Sequence, residues 1–336
     1  MEKRRGKQSL VFPSRPRVAG YASVAGAKEK QGPLGHTFDE TFADDYLGKE
    51  SWEKAETCML ERTIDLALSK AGLLAAETDV MLAGDLLNQI VTAGYAARGL
   101  GIPFMGLYGA CSTMAESLIL GAALIDGGFC KSAVCAASSH FATAERQYRF
   151  PLEMGAQRPP TAQWTVTGAG ASVLKNEGGL NIAVESATMG RVVDAGQKDL
   201  NNMGAAMAPA AADTLMTHLR EMKRGLSDYD LIATGDLGGV GSRLMRELCQ
   251  QEGLHLDHRL MDCGCEIYRS DQDVHAGGSG CGCSAVCLNG WLLGRMLHGE
   301  VRRMLLIATG AMMSPTVSLQ GESIPGIAHA VSLEVI

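Results

Sequence analysis

Short apolar runs recur along the chain, and two of them are close copies of each other. Residues 79–88 (DVMLAGDLLN) return 151 positions later as residues 230–239 (DLIATGDLGG). Both segments have the pattern of a short buried strand that ends in Gly-Asp. Self-similarity of this kind predicts that the chain contains two copies of one structural unit.

Two longer apolar stretches, 110–127 and 282–299, begin with similar turns. The first opens with Ala-Cys-Ser around Cys111, and the second opens with Gly-Cys-Ser around Cys283. Apolar residues recur along both stretches with a helical period and almost no polar face, which indicates helices buried on all sides. A basic residue and a further apolar strand follow each stretch. These two strands are 132–137 and 304–309.

The order of strands and helices predicts the fold class. Alternation of buried strands with helices is typical of mostly parallel sheets that are covered on both faces. Two buried helices between two similar sheets make an α/β protein with a five-layered αβαβα body and two pseudo-symmetric halves. We expect a flexible N-terminal tail over 1–10, a first half over 11–200 and a second half over 201–336.

Composition and charge narrow the range of partners. The chain is 46% hydrophobic and carries a formal net charge of −7, which argues against a nucleic-acid partner. The basic cluster Lys3-Arg4-Arg5 precedes polar residues rather than an apolar core, so we expect no signal peptide. No stretch approaches the roughly 18 apolar residues of a membrane-spanning helix.

The ten cysteines are interpreted first as reduced thiols, because no secretion signal is recognised. The pairs Cys263/Cys265 and Cys281/Cys283 each have one residue between the thiols. Zinc knuckles have two or more residues between their ligands. We therefore predict no metal site.

Cys111 is the strongest candidate for chemistry. It follows a strand and a glycine turn and lies in the first turn of a predicted helix. Free N–H groups and the helix dipole stabilise a thiolate at such a position and lower its pKa. The alternative is a buried thiol at a helix cap, and this feature alone leaves both interpretations open.

With the repeat and the Ala-Cys-Ser turn, the chain resembles the thiolase and ketoacyl synthase superfamily over nearly its whole length. The resemblance implies a thiolase-like five-layered fold, a homodimer in isolation and the nucleophile position for Cys111. The superfamily's other catalytic groups are a His and an Asn, or two His, with a second Cys in thiolases. At the corresponding second-half loops this sequence has Asp236 and Cys281. The resemblance thus implies a vestigial nucleophile, no catalytic residue and no cofactor.

Five further motifs resemble a non-catalytic sporulation family within that superfamily. They are 11–12 (VF), 33–39 (PLGHTFD), 84–89 (GDLLNQ), 147–151 (QYRFP) and 163–170 (QWTVTGAG). This resemblance implies a dipicolinic-acid-binding component of a channel complex in the spore inner membrane. It implies action in dipicolinate uptake during sporulation and in its release during germination. The expected location is the forespore or spore, in peripheral association with the inner membrane and with the other channel proteins.

A dipicolinate site is expected where the two halves meet. Helix N-termini at Cys111 and Cys283 would direct N–H groups at the anion, with Cys281 on the wall. His140 and His275 could add donors, although an ordinary exposed or capping side chain is the favoured interpretation for each. Arg146 and Arg149 are further candidates for charge pairing, although a solvated surface position is favoured for either. Separately, the carboxylate of Asp236 would repel a dianion unless it is protonated or bridged by a cation such as calcium.

Two other functions stay open at this point. One is an active enzyme that condenses acyl-coenzyme A or acyl-carrier substrates through Cys111; it requires a histidine on a second-half loop beside Cys111. The other is an assembly factor with an empty vestigial cleft, which is distinguished by whether any small molecule binds.

Overall fold

The computed structural model describes residues 2–149, 152–155 and 157–336. Part of the motif at 147–151 lies outside the described residues, because 150 and 151 are not among them. The strands are β1 (Arg4–Arg5), β2 (Ser9–Val11), β3 (Arg17–Ala25), β4 (Glu40–Thr41), β5 (Val80–Gly84), β6 (Phe104–Gly106), β7 (Ser132–Ser139), β8 (Trp164–Thr165), β9 (Gly168–Lys175), β10 (Ile182–Thr188), β11 (Leu231–Thr234), β12 (Leu260–Asp262), β13 (Gly278–Ser279), β14 (Arg303–Ala311) and β15 (Gly326–Val335).

The helices alternate with these strands. They are α1 (Ala27–Lys30), α2 (Trp52–Ala71), α3 (Val91–Leu100), α4 (Thr113–Asp126), α5 (Phe141–Tyr148), α6 (Met203–Met222), α7 (Gly238–Gln251), α8 (Cys263–Glu266), α9 (Cys281–Cys287), α10 (Leu293–Leu297) and α11 (Pro315–Leu319). A π-helical turn, Leu288–Leu292, joins α9 to α10.

Two five-stranded sheets with the same order form the two halves. The first runs β6-β5-β7-β9-β3 and the second runs β12-β11-β14-β15-β10. In both sheets the first three strands are parallel and the last two pair antiparallel. The sheets meet where Arg17 of β3 pairs with Ala183 of β10. The predicted pseudo-symmetric α/β architecture is confirmed.

Buried helices separate the two sheets. Helix α4 packs on β5 and β7 of the first sheet and on β14 and β15 of the second, and α9 packs on β7 and β9. Helix α2 covers the outer face of the first sheet, and α6, with α7 against it, covers the outer face of the second. The result is the predicted five-layered αβαβα arrangement.

Local sequence explains why the helices begin, end and pack as they do. The side chain of Ser51 accepts a hydrogen bond from the N–H of Lys54 and caps α2, which ends at Gly72 with a φ of 64°. A Cβ atom added at Gly121 of α4 would lie 2.6 Å from Sγ of Cys135 on β7. Small residues therefore let the central helix approach the sheet closely, as the low aromatic content of 5% suggests.

The segment predicted as a flexible tail is instead a β-hairpin. Strand β1 pairs with β2, and β2 pairs with β10 of the second half. The carboxylate of Glu221 accepts hydrogen bonds from the backbone N–H groups of Lys7, Gln8 and Ser9. The sequence pattern does not predict this hairpin, because Glu221, whose carboxylate binds it, lies far along the chain on α6.

The structural repeat also begins earlier than the predicted boundary at 201. Strand β10 starts at Ile182 and pairs along its length with β15 of the second sheet. It occupies the same place in its sheet as β3 does in the first. The loop between β10 and α6 therefore belongs to the second half and does not separate the halves.

Candidate functional site

A cavity of about 430 Å³ opens where the carboxyl ends of the central strands of both sheets meet. Residues of both halves line it. They are Leu86, Asn88, Tyr108, Gly109, Ala110, Cys111, Glu116, Ala144, Tyr148, Arg149, Thr165, Met203, Met207, Ser279, Ala311, Met312, Met313, Ser314, Ile327 and His329. Ligand sites in α/β proteins commonly lie at such strand ends.

The turn that carries Cys111 is held between the two halves. Residues Ala110–Ser112 form a 3₁₀ turn that leads into α4, and Ala110 has a φ of 50°. On the opposite side, a Cβ atom added at Gly310 of β14 would lie 2.7 Å from the carbonyl oxygen of Gly109. The strand thus needs glycine at this point. Cys111 is 8% exposed and forms part of the cavity wall.

Asp236 lies behind Cys111 and is fully buried. Its carboxylate accepts hydrogen bonds from the hydroxyl of Thr309 at 2.6 Å and from the N–H of Gly280 at 2.9 Å. The Cys111 side chain lies close enough for the two groups to affect each other's pKa. Burial raises the pKa of Asp236 to about 7, against the opposing effect of these hydrogen bonds.

The same surroundings keep the Cys111 thiol protonated. Burial raises its pKa well above the usual range, and the neighbouring Asp236 carboxylate raises it further. Both effects oppose the lowering of the pKa that is expected for a thiol at the start of a helix. In this structure the buried-thiol interpretation therefore outweighs the thiolate interpretation.

Cys281 and Cys283 lie in the interior and do not line the cavity. Helix α9 begins at Cys281, so Cys283 lies in its first turn, two residues after its start. The thiol of Cys281 donates to the carbonyl oxygen of Ser138 at 2.8 Å. Both side chains belong to the hydrophobic core that the two halves share.

Neither predicted histidine lies at the cavity. In His140, Nδ1 accepts a hydrogen bond from the N–H of Ala142 and Nε2 lies 2.8 Å from the carbonyl oxygen of Asp45, so both nitrogens have partners in the fold. Burial lowers its pKa, which favours the neutral ring. His275 lies on a surface loop, with Nε2 3.4 Å from the carboxylate of Asp273. Each has the ordinary structural role that the sequence left open.

The structure separates the two candidate arginines. The guanidinium of Arg149 lines the cavity, is 7% exposed and pairs with Glu145 at 2.5 Å. Arg146 is 49% exposed and pairs with Glu53 on the surface. The cavity therefore contains one buried positive charge. The two arginines lie three residues apart, which was too close for sequence patterning to assign them to different faces.

Two tyrosines that sequence reasoning missed form the mouth of the cavity. The Tyr108 hydroxyl lies 3.3 Å from that of Tyr148 and donates to the side chain of Asn88 at 3.2 Å. The Tyr148 hydroxyl donates to the carbonyl oxygen of Leu86. Tyr108 is 51% exposed, so its ring is in contact with both the cavity and the surroundings.

The second half contributes an apolar wall and a neutral histidine. Met203 and Met207 of α6 face the cavity with His329 of β15. Nδ1 of His329 accepts a hydrogen bond from the N–H of Gly190, and burial lowers its pKa to about 4. No sequence signal marked these residues, because they come from an outer helix and an antiparallel strand.

The described residues lack two features that would bear on the function. They contain no group of three or more His, Cys, Asp or Glu side chains arranged to hold a metal ion. Among the same residues, no helix is both long and apolar enough to cross a membrane.

Known structures share this fold. The chain aligns with 3-oxoacyl-[acyl-carrier-protein] synthase III from Aquifex aeolicus VF5 with a TM-score of 0.57 and 14% identity, over 95% of this chain and 99% of that one. It aligns with cerulenin-bound OleA of Xanthomonas campestris with a TM-score of 0.61 and 13% identity, over 96% and 97%. The sheet order, the central helices and these similarities define a thiolase-like protein.

Sequence comparison narrows this class to one family. A family model described as stage V sporulation protein AD matches residues 6–334. The chain is 48% identical over 329 residues to stage V sporulation protein AD of Bacillus subtilis (strain 168), which covers 98% of this chain and 97% of that protein. The chain belongs to the stage V sporulation protein AD family and is a sporulation protein.

Proposed function

We propose that this chain is a non-catalytic, dipicolinic-acid-binding component of the channel complex in the spore inner membrane. It acts in dipicolinate uptake during sporulation and in its release during germination. Membership of a sporulation family supports the biological setting. The observation that carries the proposal is the cavity itself, which combines one buried cation, Arg149, with hydroxyl donors and an apolar wall.

Dipicolinate is a flat aromatic ring with two carboxylates, and each part has a counterpart in the cavity. The guanidinium of Arg149 can donate to one carboxylate, because only one of its terminal nitrogen atoms contacts Glu145. The hydroxyl of Thr165 can donate to the other. Met207 offers a polarisable surface to the ring. The volume of about 430 Å³ is in the range of small-molecule sites.

The floor of the cavity favours binding over acyl transfer. Acyl transfer through Cys111 would require a thiolate and a base that exchanges protons with the substrate. Here the thiol is protonated, and its nearest titratable neighbour is a carboxyl group, Asp236, with a raised pKa. The only histidine on the cavity wall within the described residues, His329, already accepts a backbone hydrogen bond through Nδ1.

Isothermal titration calorimetry of the purified chain with dipicolinate tests this proposal. Picolinate is the matched control ligand, since it retains the ring and one carboxylate but lacks the second carboxylate. We expect saturable binding of dipicolinate with about one site per chain and weaker binding of picolinate. Absence of heat change and of thermal stabilisation by dipicolinate would support the empty-cleft alternative instead.

A parallel assay separates binding from catalysis. Purified chain is incubated with acyl-coenzyme A and malonyl-coenzyme A, and release of free thiol is followed. We expect no release above the background of a Cys111→Ala variant. Release that disappears in Cys111→Ala would support the condensing-enzyme alternative and contradict the proposal.

The proposed partners are the other channel proteins and, in isolation, a second copy of the chain. The edge strand β6 pairs with β5 on one side only. Met105 on this strand is 52% exposed and Tyr108, just after it, is 51% exposed. An edge with unpaired backbone groups and exposed apolar side chains favours strand pairing between two copies.

A further inference from the structure

Two buried carboxyl groups beside the cavity wall have no role in the proposed ligand contacts. Glu56 lies on α2, and Asp85 directly follows β5. The two residues are 1% and 0% exposed, and we call them the carboxyl pair. Ionisation of a fully buried carboxyl group costs free energy, so the hydrogen-bond partners of each group decide which one keeps its proton.

Asp85 holds the loop 86–92, which forms part of the cavity wall. Its Oδ1 atom accepts a hydrogen bond from the N–H of Leu87, and its Oδ2 atom accepts one from the N–H of Ala93, both at 2.8 Å. Between these bonds Ile90 has a φ of 47°, which a β-branched residue rarely adopts. The bonds of Asp85 therefore hold the loop in a strained conformation at the cavity.

Glu56 holds the start of α5. Its Oε1 atom accepts a hydrogen bond from the hydroxyl of Ser138 at 3.0 Å, and its Oε2 atom lies 3.1 Å from the hydroxyl of Thr143. The same Thr143 hydroxyl lies 3.0 Å from the carbonyl oxygen of His140, the residue that precedes the helix. One side chain, that of Thr143, therefore connects Glu56 to the backbone at the start of α5.

The Thr143 hydroxyl indicates which group of the carboxyl pair is protonated. A hydroxyl donates one proton, and the carbonyl oxygen of His140 can only accept. Thr143 bonds to both of its neighbours when Glu56 carries a proton on Oε2 and donates it to Thr143. Asp85 instead accepts backbone N–H bonds on both of its oxygens, as an ionised carboxylate does. The proton of the pair is thus on Glu56.

The electrostatics agree with this assignment. Burial raises the pKa of both groups of the carboxyl pair, and the charge of Asp85 raises the pKa of Glu56 further, to about 8. The backbone N–H bonds of Asp85 oppose the effect of burial and favour its ionised form. The pair therefore carries one negative charge at neutral pH and two above about pH 8.

No positive charge within the described ranges pairs with either carboxyl group. The neighbouring thiol of Cys281 stays neutral, because burial raises its pKa well above the usual range. The ring of His140 is also neutral, because burial lowers its pKa. Arg146 of α5 pairs with Glu53 at the surface. Loss of the proton from Glu56 would therefore leave two buried negative charges without a partner.

Gln147 of α5 joins the two elements that the carboxyl pair holds. Its side-chain nitrogen donates to the carbonyl oxygen of Leu86 at 3.0 Å, and its side-chain oxygen accepts from the N–H of Asn88 at 2.9 Å. Helix α5 also brings Tyr148, and Arg149 just beyond it, to the cavity. A movement of α5 would therefore change this whole side of the cavity wall.

We infer that Glu56 is a positioning residue for the cavity: its protonated carboxyl group holds α5 and the loop 86–92 together, and release of that proton to water loosens this wall. A second buried charge is stabilised only where water reaches it, so α5 moves away from α2 as water enters. The Thr143 hydroxyl then donates to the Glu56 carboxylate, and its bond to His140 is lost. The effect on dipicolinate rests on the proposed function, whereas the loosening of the wall does not.

Tryptophan fluorescence without ligand tests this inference. Trp164 stacks on the first residue of α5 at a ring distance of 3.6 Å, and the guanidinium of Arg146 on the same helix lies 5.4 Å from the ring of Trp52. Trp291→Phe removes the third indole. Acrylamide quenching of the other two should rise by about twofold between pH 7 and pH 9 as the wall opens, with a midpoint near the pKa of Glu56, about 8. Quenching that stays constant from pH 6.5 to pH 9.5 would overturn the inference.

Variants in the same Trp291→Phe background assign the effect to Glu56. Glu56→Gln keeps the shape of the side chain, and its amide can donate to Thr143 at every pH, so quenching should stay at its neutral-pH value. Glu50→Gln, an exposed carboxyl group before α2, is the matched control and should keep the pH profile. Thr143→Val should give raised quenching already at pH 7, and Thr143→Ser, which retains the hydroxyl, should restore the profile. A profile in Glu56→Gln like that of the control would contradict the assignment, as would equal profiles in the two Thr143 variants.

Calorimetry at pH 9 relates this movement to the ligand. Glu56→Gln should bind dipicolinate at least about threefold more tightly than the unchanged chain, because its wall stays closed. Comparison at one pH keeps the charge of Asp236 the same in both chains. Equal affinities at pH 9 would contradict a positioning role of Glu56 for the cavity. Absence of binding by both chains would contradict the proposed function alone, since the fluorescence profile decides the inference without ligand.

Discussion

Asp236 of the second half lies buried behind Cys111 of the first half, and its carboxyl group raises the pKa of the Cys111 thiol in the cavity wall. Their proximity couples the charge states of the two groups. An ionised Asp236 raises the pKa of the thiol, and a protonated Asp236 leaves the floor of the cavity neutral. The cavity should therefore bind an anionic ligand more tightly when Asp236 is protonated.

The first prediction concerns the pH dependence of dipicolinate binding. The pKa of Asp236 is raised to about 7, so its carboxyl group loses its proton as the pH rises through that value. Both ligand carboxylates are ionised over the range from pH 6 to 8.5, since ordinary carboxyl groups titrate near pH 4. Affinity measured by calorimetry should therefore fall across this range as Asp236 becomes charged. In Asp236→Asn the fall should be smaller, although Glu116 in the cavity wall also has a pKa raised by burial; an unchanged pH profile in that variant would contradict the account.

The second prediction assigns the ligand's charge partner to Arg149. Arg149→Gln removes the cavity's positive charge and leaves Glu145 unpaired beside the ligand. Dipicolinate affinity should drop by at least about tenfold, which corresponds to a charge-assisted hydrogen bond of about 1.5 kcal/mol or more. Arg146→Gln is the matched control, because Arg146 pairs with Glu53 on the surface and should leave affinity unchanged. Equal effects of the two substitutions would place the site elsewhere.

The third prediction concerns stability. Burial raises the pKa of Glu56 to about 8 and that of Glu29 to about 7, so the folded state holds protons that the unfolded chain has released. This contribution to the free energy of unfolding is complete below about pH 4.5 and is lost as the pH rises through 7 and 8. Each proton contributes a slope of at most about 1.4 kcal/mol per pH unit.

Urea unfolding at several pH values checks this prediction. The free energy of unfolding should decrease from pH 5 to pH 8. Glu56→Gln should make the decrease less steep, because the amide can still interact with the hydroxyls of Ser138 and Thr143 without a charge. Glu50→Gln, at an exposed position just before α2, should leave the slope as it is. A stability that rises over this pH range would contradict the assigned protonation states.

The fourth prediction is a homodimer in isolation that forms through β6. Sedimentation velocity of the purified chain should give the mass of two copies. Met105→Lys places a charge on the exposed edge and should shift the distribution toward monomer. Leu319→Ser, which also replaces an exposed apolar side chain by a polar one, should leave the distribution unchanged. A monomer at all concentrations, or a dimer that tolerates Met105→Lys, would count against this interface.

Much of the fold could be predicted because the repeat is visible in the sequence. The copies at 79–88 and 230–239 correspond to β5 and β11, which hold the same place in their sheets. The buried helix predicted within 110–127 is α4, since an apolar helical period without a polar face identifies a buried helix. The N-terminal hairpin could not be predicted, because its order depends on Glu221, which is distant in sequence.

Fewer features of the site than of the fold could be predicted from the sequence. The proximity of Cys111 and Asp236 follows from the two-fold repeat, which brings corresponding strand ends together. His140 has the expected place at the end of β7, but its ring bonds to local backbone atoms that no periodicity reveals. Tyr148 and Arg149 reach the cavity from the end of α5 and just beyond it, where helical spacing no longer decides which side chain points inward.

Titration of Cys111→Trp with dipicolinate tests the central claim most directly. The larger side chain fills the cavity without removing a charged partner of the ligand. Circular dichroism and thermal unfolding establish that the variant is folded, and Cys130→Trp, at a half-buried thiol near the opposite end of the molecule, is the control. We predict that folded Cys111→Trp gives no binding heat while the unchanged chain and the control give saturable binding. Unchanged affinity in folded Cys111→Trp would contradict the account.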